Sequence, residues 1–216
     1  HDPLAPISHI VAKAHLEITL NAQGCFIGAC TVNESEQNTI IPVTEKSGGR
    51  TSGLAAHPLC DQIKYVTSID KAAHELYFKE LCNWEESAYT HPILTAVRAY
   101  VAKGTILNDL INAGIISQSG KPDGKTLKLM IRWRVNGCGS EEPACWKNKR
   151  LFALYQDYYL SLISMRDHIF CMISGKEDST VLQHPSGIIP IPYKAKLISF
   201  NSDDFAYRGR FTEELQ

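Results

Sequence analysis

His15-Leu-Glu-Ile-Thr-Leu20, with Asn21-Ala-Gln-Gly24 and Cys25 to Val32 behind it, decides the fold class. Leu16, Ile18 and Leu20 fall on one side of an extended chain, and His15, Glu17 and Thr19 on the other. Side chains of a strand point alternately to its two faces, so this spacing spells a half-buried strand. Asn21 to Gly24 supplies a turn, and Cys25 to Val32 reads as the returning arm of a hairpin.

Working outward, a short strand is expected from Thr39 to Val43 and another from Ile63 to Val66. Residues 71–116 change period. Ala72 to Cys82 forms one helix; Pro92 stands at a first helical position, and Ile93, Val97, Tyr100 and Val101 recur at helical spacing. Gly104 ends that helix, and Ile106 to Ala113 forms a shorter one. Pro122-Asp-Gly124 marks a turn before a strand at Leu127 to Val135, and Trp146 to Met165 is an amphipathic helix. Strands at His168 to Ile173 and Ala195 to Phe200 follow, with a Gly/Pro-rich connection between them. A hairpin followed by clustered helices, without regular strand–helix alternation, predicts an α+β fold with a mixed, mostly antiparallel sheet.

The bulk values permit a real core: 216 residues, 44% of them hydrophobic. Net charge is -1, unlike a protein that wraps nucleic acid alone. The charge is uneven, however. Residues 1–120 hold 8 Lys/Arg against 12 Asp/Glu, and residues 121–210 hold 14 against 9. A basic second half can meet a polyanion locally. Seven cysteines, without a Cys-x-x-Cys pair, fit reduced, mostly buried thiols better than a disulfide framework. No signal peptide and no membrane-length apolar run is present, so a cytoplasmic location and no membrane partner are expected.

Three places could carry chemistry. In Leu127 to Val135, Lys128, Arg132 and Arg134 share one face, a spacing that suits a nucleic-acid backbone. The plainer alternative is a solvated face, or cations paired with Glu141 and Glu142. The glycine-rich loop Lys46 to Gly53 could bring its backbone close to a ligand, with Arg50 forking onto a guanine edge or a phosphate. It could equally be an ordinary surface loop, and it lacks the Walker A pattern. Tyr207-Arg-Gly-Arg-Phe211 interleaves Arg208 and Arg210 with aromatics, which suits either base stacking or a subunit interface.

Enzymatic readings are weaker. His57 and Cys60 are neighbours, but nothing in the sequence supplies an orienting third group or an oxyanion hole. Cys138 and Cys145 with His168 or His184 match no zinc spacing, so no catalytic residue, metal or cofactor is expected.

Several blocks together resemble a known family. Pro6-Ile-Ser-His9, Ala14-His-Leu-Glu-Ile-Thr-Leu20, Ile41-Pro-Val-Thr-Glu-Lys-Ser-Gly-Gly-Arg-Thr-Ser-Gly53 and His57-Pro-Leu-Cys-Asp61 look like the start of the type I-C CRISPR-associated large subunit. Ile131-Arg-Trp-Arg-Val135, His184-Pro-Ser-Gly187, Lys196-Leu-Ile-Ser-Phe-Asn201 and Tyr207-Arg-Gly-Arg-Phe211 continue the likeness in order. The resemblance implies that residues 1–216 are the N-terminal DNA-recognition domain of a longer chain lacking both its ends here. It implies a non-catalytic subunit of an RNA-guided Cascade complex in the prokaryotic cytoplasm. Its partners would be guide CRISPR RNA, target double-stranded DNA, other Cascade subunits, a recruited helicase-nuclease and, among inhibitors, phage anti-CRISPR proteins. In such effectors base pairing reads most of the target while protein reads a short flanking motif. By resemblance that reading falls to Arg50, Thr51 and Ser52, with Lys46 and His57 flanking, while Lys128, Arg132 and Arg134 hold backbone. The alternative is a docking module that binds neighbouring subunits and the guide RNA end without reading sequence.

Overall fold

The computed structural model describes residues 5–50, 53–117, 122–165, 168–170 and 175–179. In chain order its elements are β1 His9–Lys13, β2 Leu16–Asn21, β3 Phe26–Thr31, β4 Asn38–Pro42, α1 Glu45–Gly48, α2 Ile63–Val66, α3 Lys71–Glu85, α4 Pro92–Val101, α5 Ile106–Asn112, β5 Ile131–Asn136, α6 Lys149–Ser164, β6 His168–Phe170 and β7 Glu177–Ser179. The fold is α+β with mostly antiparallel pairing, as the alternation and helical spacing predict.

β2 is the middle strand of a three-stranded sheet in the order β3-β2-β5. It runs antiparallel to β3 and parallel to β5, in a register that sets Leu16 beside Ile131 and Asn21 beside Asn136. Leu16, Ile18 and Leu20 are buried, as the alternation requires, and so is Glu17 on the opposite face. β1 and β4 pair antiparallel in a separate ribbon, and β6 pairs with β7.

The hairpin tip is fixed to α4. Asn21 Oδ1 accepts from the N–H groups of Gln23 and Cys25 at 3.0 and 2.7 Å, closing the turn. Gly24 then adopts φ +69, and a Cβ there would lie 2.4 Å from the carbonyl oxygen of Ala96. Only glycine lets the turn sit this close to the helix backbone. Lys103 Nζ ties the same point by donating to the Gly24 carbonyl at 2.7 Å.

The longer helices carry the caps their sequences call for. Asp70 accepts from Ala73 N–H ahead of α3, and Asn148 accepts from Leu151 N–H ahead of α6. α4 opens with Pro92 at its first position, behind a His91 ring nitrogen that accepts from Ile93 N–H at 3.2 Å. Their inner faces meet the sheet in an aromatic core holding Trp84, Trp133, Tyr65, Tyr77, Tyr100 and Tyr155. Polar ends of these rings are satisfied inside: Tyr77 OH and Trp133 Nε1 both donate to the Leu59 carbonyl, at 2.8 and 2.9 Å.

The structure corrects three expectations and adds one strand. Ile63–Val66, read as a strand, is a single helical turn, and only Gln62 before it bridges Met130 in extended form. The strand expected from Leu127 starts at Ile131, because Thr126–Lys128 coils into a 3-10 turn. The Lys46–Gly53 loop contains helical residues, α1, closed by a reciprocal Thr44–Ser47 cap. β1 was not expected at all. The strand expected at Ala195 to Phe200 lies outside the described residues.

Candidate functional site

Residues 44–50 and 53–65 hold the first of two clusters. Ser47 N–H donates to Thr44 Oγ1 at 3.1 Å and Thr44 N–H to Ser47 Oγ at 2.9 Å, which fixes α1. Arg50 follows and turns inward. Its NH1 and NH2 groups donate to both oxygens of Asp61, at 3.1 and 2.9 Å, and NH1 also donates to the Ala55 carbonyl at 2.6 Å. Its guanidinium lies over the Tyr65 ring, 4.6 Å from the centroid, and Lys64 Nζ lies 4.7 Å from that centroid. Asp61 is fully buried and accepts two further bonds, from His57 N–H at 2.8 Å and Gln62 N–H at 2.7 Å. One carboxylate therefore gathers the loop from both sides.

Of the residues expected to read DNA here, the structure brings Arg50 and His57 together on Asp61, facing inward. The Arg50 fork is already spent on a carboxylate, so it is not free for a guanine edge in this conformation. Lys46 is exposed on α1. Thr51 and Ser52 lie outside the described residues; past them Gly53 has φ +77 with open space around it, and Leu54 is exposed. Asp61 is the participant that sequence reasoning missed. Its signal was an aspartate at the end of the largely apolar run Leu54 to Cys60, where a charge demands a counter-charge.

The buried histidines make this region pH-sensitive. His57, with Nδ1 2.9 Å from Ser47 Oγ, has its pKa pushed down to about 4 by burial; Asp61 opposes this shift and Arg50 adds to it. His9, edge-on to Phe152 and Tyr155, is likewise pushed down to about 4 by burial, partly offset by the Ile7 carbonyl. Both rings stay neutral in the native chain while the unfolded chain takes up protons below about pH 6.5. Stability is then unaffected by these groups above pH 6.5 and falls between 6.5 and about 4, by about 1.4 kcal/mol per pH unit for each histidine. Urea midpoints taken across that range are expected to drop with acidification, and His9→Phe to make the drop shallower by one proton's worth.

The second cluster lies on β2 and β5. Glu17 receives Arg132 through Nε at 3.0 Å and NH2 at 2.8 Å, and Arg134 through Nε at 2.6 Å. Arg132 NH1 also donates to the Glu36 carbonyl at 2.8 Å. Trp146 covers both guanidiniums, 3.8 Å from Arg132 and 5.2 Å from Arg134. Arg132 is buried, which removes it from any surface. Arg134 keeps 34% of its side chain exposed. The expected row of three cations is thus broken up: Lys128 sits exposed on the 3-10 turn, Arg132 is internal, and Arg134 alone remains at the sheet face. The partner is Glu17, not Glu141 or Glu142; Glu141 pairs instead with Arg150.

Cys60 faces Cys145, with the sulfurs 3.5 Å apart, and burial pushes its thiol well up. His57 faces Ser47 instead. The neighbours in sequence are therefore not a nucleophile–base pair in space. No group of three or more His, Cys, Asp or Glu among the described residues is placed to hold a metal. Arg208 and Arg210 lie outside the described residues.

Against this geometry, the family model described as CRISPR-associated protein (Cas_Csd1) matches residues 1–216. The chain belongs to the Cas_Csd1 family. None of the curated proteins compared with it matches. Membership places this Cas_Csd1 chain among the components of a CRISPR system. Among its described residues no helix is long and apolar enough to cross a membrane.

Proposed function

We propose that this Cas_Csd1 chain is the N-terminal DNA-recognition part of the large subunit of a type I-C, RNA-guided Cascade complex in the prokaryotic cytoplasm. It reads the short motif that flanks a target in double-stranded DNA, supports R-loop formation and the recruitment of a helicase-nuclease, and performs no cleavage itself. The family match over residues 1–216 carries this reading. The motif reader would be the tip of the 44–65 segment, where Lys46 is exposed and the backbone at Gly53 is open. Arg50 and Asp61 act there as the clamp that shapes the tip.

The test is duplex binding by the reconstituted complex over a library of flanking motifs. Replacing Lys46, Thr51 and Ser52 by alanine is expected to abolish discrimination between motifs while leaving weak, salt-dependent binding. Arg50→Ala is expected to lower the melting temperature along with discrimination, because it releases the clamp. Motif discrimination that survives the triple replacement would move the reader elsewhere. One observation favours a second reading, a docking module for neighbouring subunits and the guide RNA end: Arg50 and Arg132 are both committed to internal carboxylates. Complex assembly with full motif discrimination in the triple variant would select that reading.

A further inference from the structure

The Glu17 cluster is electrically unbalanced. One carboxylate faces two guanidiniums, so the group carries a net positive charge beneath Trp146. Arg132 uses all three of its nitrogens internally. Arg134 uses only Nε, and its NH1 and NH2 groups have no partner among the described residues. Glu17 holds that guanidinium by Nε and Trp146 by a ring contact, while 34% of the side chain stays exposed. Glu142, on the segment beside β5, is turned onto the Ala144 N–H at 3.1 Å.

The sheet register supplies the floor. Arg134 stands beside Thr19 on β2, and Thr19 beside Gly28 on β3. Partners in register share a face, and Glu17 bonding both arginines shows that these residues are on it. Thr19 is half-buried, and no described residue bonds its hydroxyl. A Cβ at Gly28 would meet nothing within 4 Å. On the same face as the cation, one and two strands over, therefore, stand a hydroxyl and a backbone position with open space above it.

We propose that the outer edge of the Arg134 guanidinium, with the Thr19 hydroxyl and the open backbone at Gly28, is a subsite for one phosphodiester group of a nucleic acid. A guanidinium fork matches two phosphate oxygens, and with Nε already held little side-chain freedom is lost on binding. The net charge of the cluster supplies the attraction that a neutral pair would lack. The contact is to backbone, so it positions the strand and carries no sequence information. This inference rests on the nucleic-acid reading above and assigns it one definite phosphate.

The measurement is the salt dependence of two events in the reconstituted complex: retention of guide RNA and binding of target duplex. Arg134→Gln removes the fork and leaves Glu17 with both of its bonds to Arg132. Gly28→Asp sets a carboxylate over the floor without disturbing either arginine. Both variants are expected to weaken one of the two events about tenfold, equally for every flanking motif. Arg134→Gln should also flatten the log–log salt slope of that event by about 0.7–0.9, the contribution of one neutralised phosphate. The event that changes says whether the phosphate belongs to guide or to target. Arg134→Lys should restore the slope and only part of the affinity. Unchanged slopes and affinities for both events with Arg134→Gln, in a complex that binds duplex, would overturn the subsite alone. A wild-type complex that binds neither nucleic acid through this chain would overturn the functional reading with it. Should Arg134→Gln fail to assemble, Gly28→Asp decides: full affinity in that variant overturns the subsite.

Discussion

Asp61→Ala is expected to cost about 3–5 kcal/mol of folding stability, measured as a shift in urea midpoint at neutral pH. Asp61 is fully buried and receives four hydrogen bonds: two from Arg50, one from His57 N–H and one from Gln62 N–H. Alanine removes all four at once. It strands the Arg50 guanidinium, 14% exposed, and leaves two backbone donors without an acceptor. A domain of ordinary stability, about 5–15 kcal/mol, would lose a large share of its margin. The double variant Arg50→Met, Asp61→Ala separates the causes. Recovery of about half the loss would mean that the stranded charge dominates. A double variant as unstable as Asp61→Ala would assign the cost to His57 and Gln62 N–H. A loss under about 1 kcal/mol in the single variant would contradict the clamp altogether.

Glu17→Ala is expected to be comparably severe, about 3–5 kcal/mol in the same measurement. Its carboxylate is the partner of Arg132, whose side chain is 6% exposed, and without it two guanidiniums stand side by side on one face of β5 with no counter-charge between them. Arg134 can swing toward water, whereas Arg132 cannot leave the space under Trp146. Glu17→Met combined with Arg132→Met should recover most of the loss, since a buried pair replaced by apolar side chains of similar volume is often neutral. If Glu17→Ala alone melts within a degree or two of the parent, the cluster is hydrated and the burial argument fails.

These two residues also mark how far the sequence could be read. Alternation located β2 within a residue or two, and placed Leu16, Ile18 and Leu20 in the core. It assigned Glu17 to the polar face correctly and gave no hint that this face is covered, because the covering arginine lies 115 residues away. Arg132 and Arg134 were legible as a pair at strand spacing. Whether such a pair meets water or a carboxylate depends on tertiary neighbours that spacing does not encode. Long, periodic α3, α4 and α6 were visible, α4 also by Pro92 at its start, whereas the caps Asp70 and Asn148 were not picked out. Four-residue Ile63–Val66 was misread because a strand and a helical turn look alike at that length. β1 escaped because only His9 in it is fully covered, with Ile10 and Ala12 half-covered, so its apolar pattern is faint. In the candidate site, glycines and cations drew the eye to the loop that Asp61 gathers. The same reasoning sent Arg50 outward, because a charged side chain is read as surface unless its partner is known.

The parallel pairing of β2 with β5 has a consequence for synthesis. β2 can pair with β3 almost at once, but its other edge has no neighbour until residues 131–136 have emerged. At the usual pace of translation, about 5–20 residues per second, the wait over those 115 residues is about 6–23 s. Throughout it the nascent hairpin presents an open strand edge with an apolar face, the pattern that recruits wrong strands. Helices α3 and α4, made of local contacts, can form during this interval, and the α4 backbone is what receives the hairpin tip at Gly24. Docking on that helix would hold the edge in place until its proper partner leaves the ribosome.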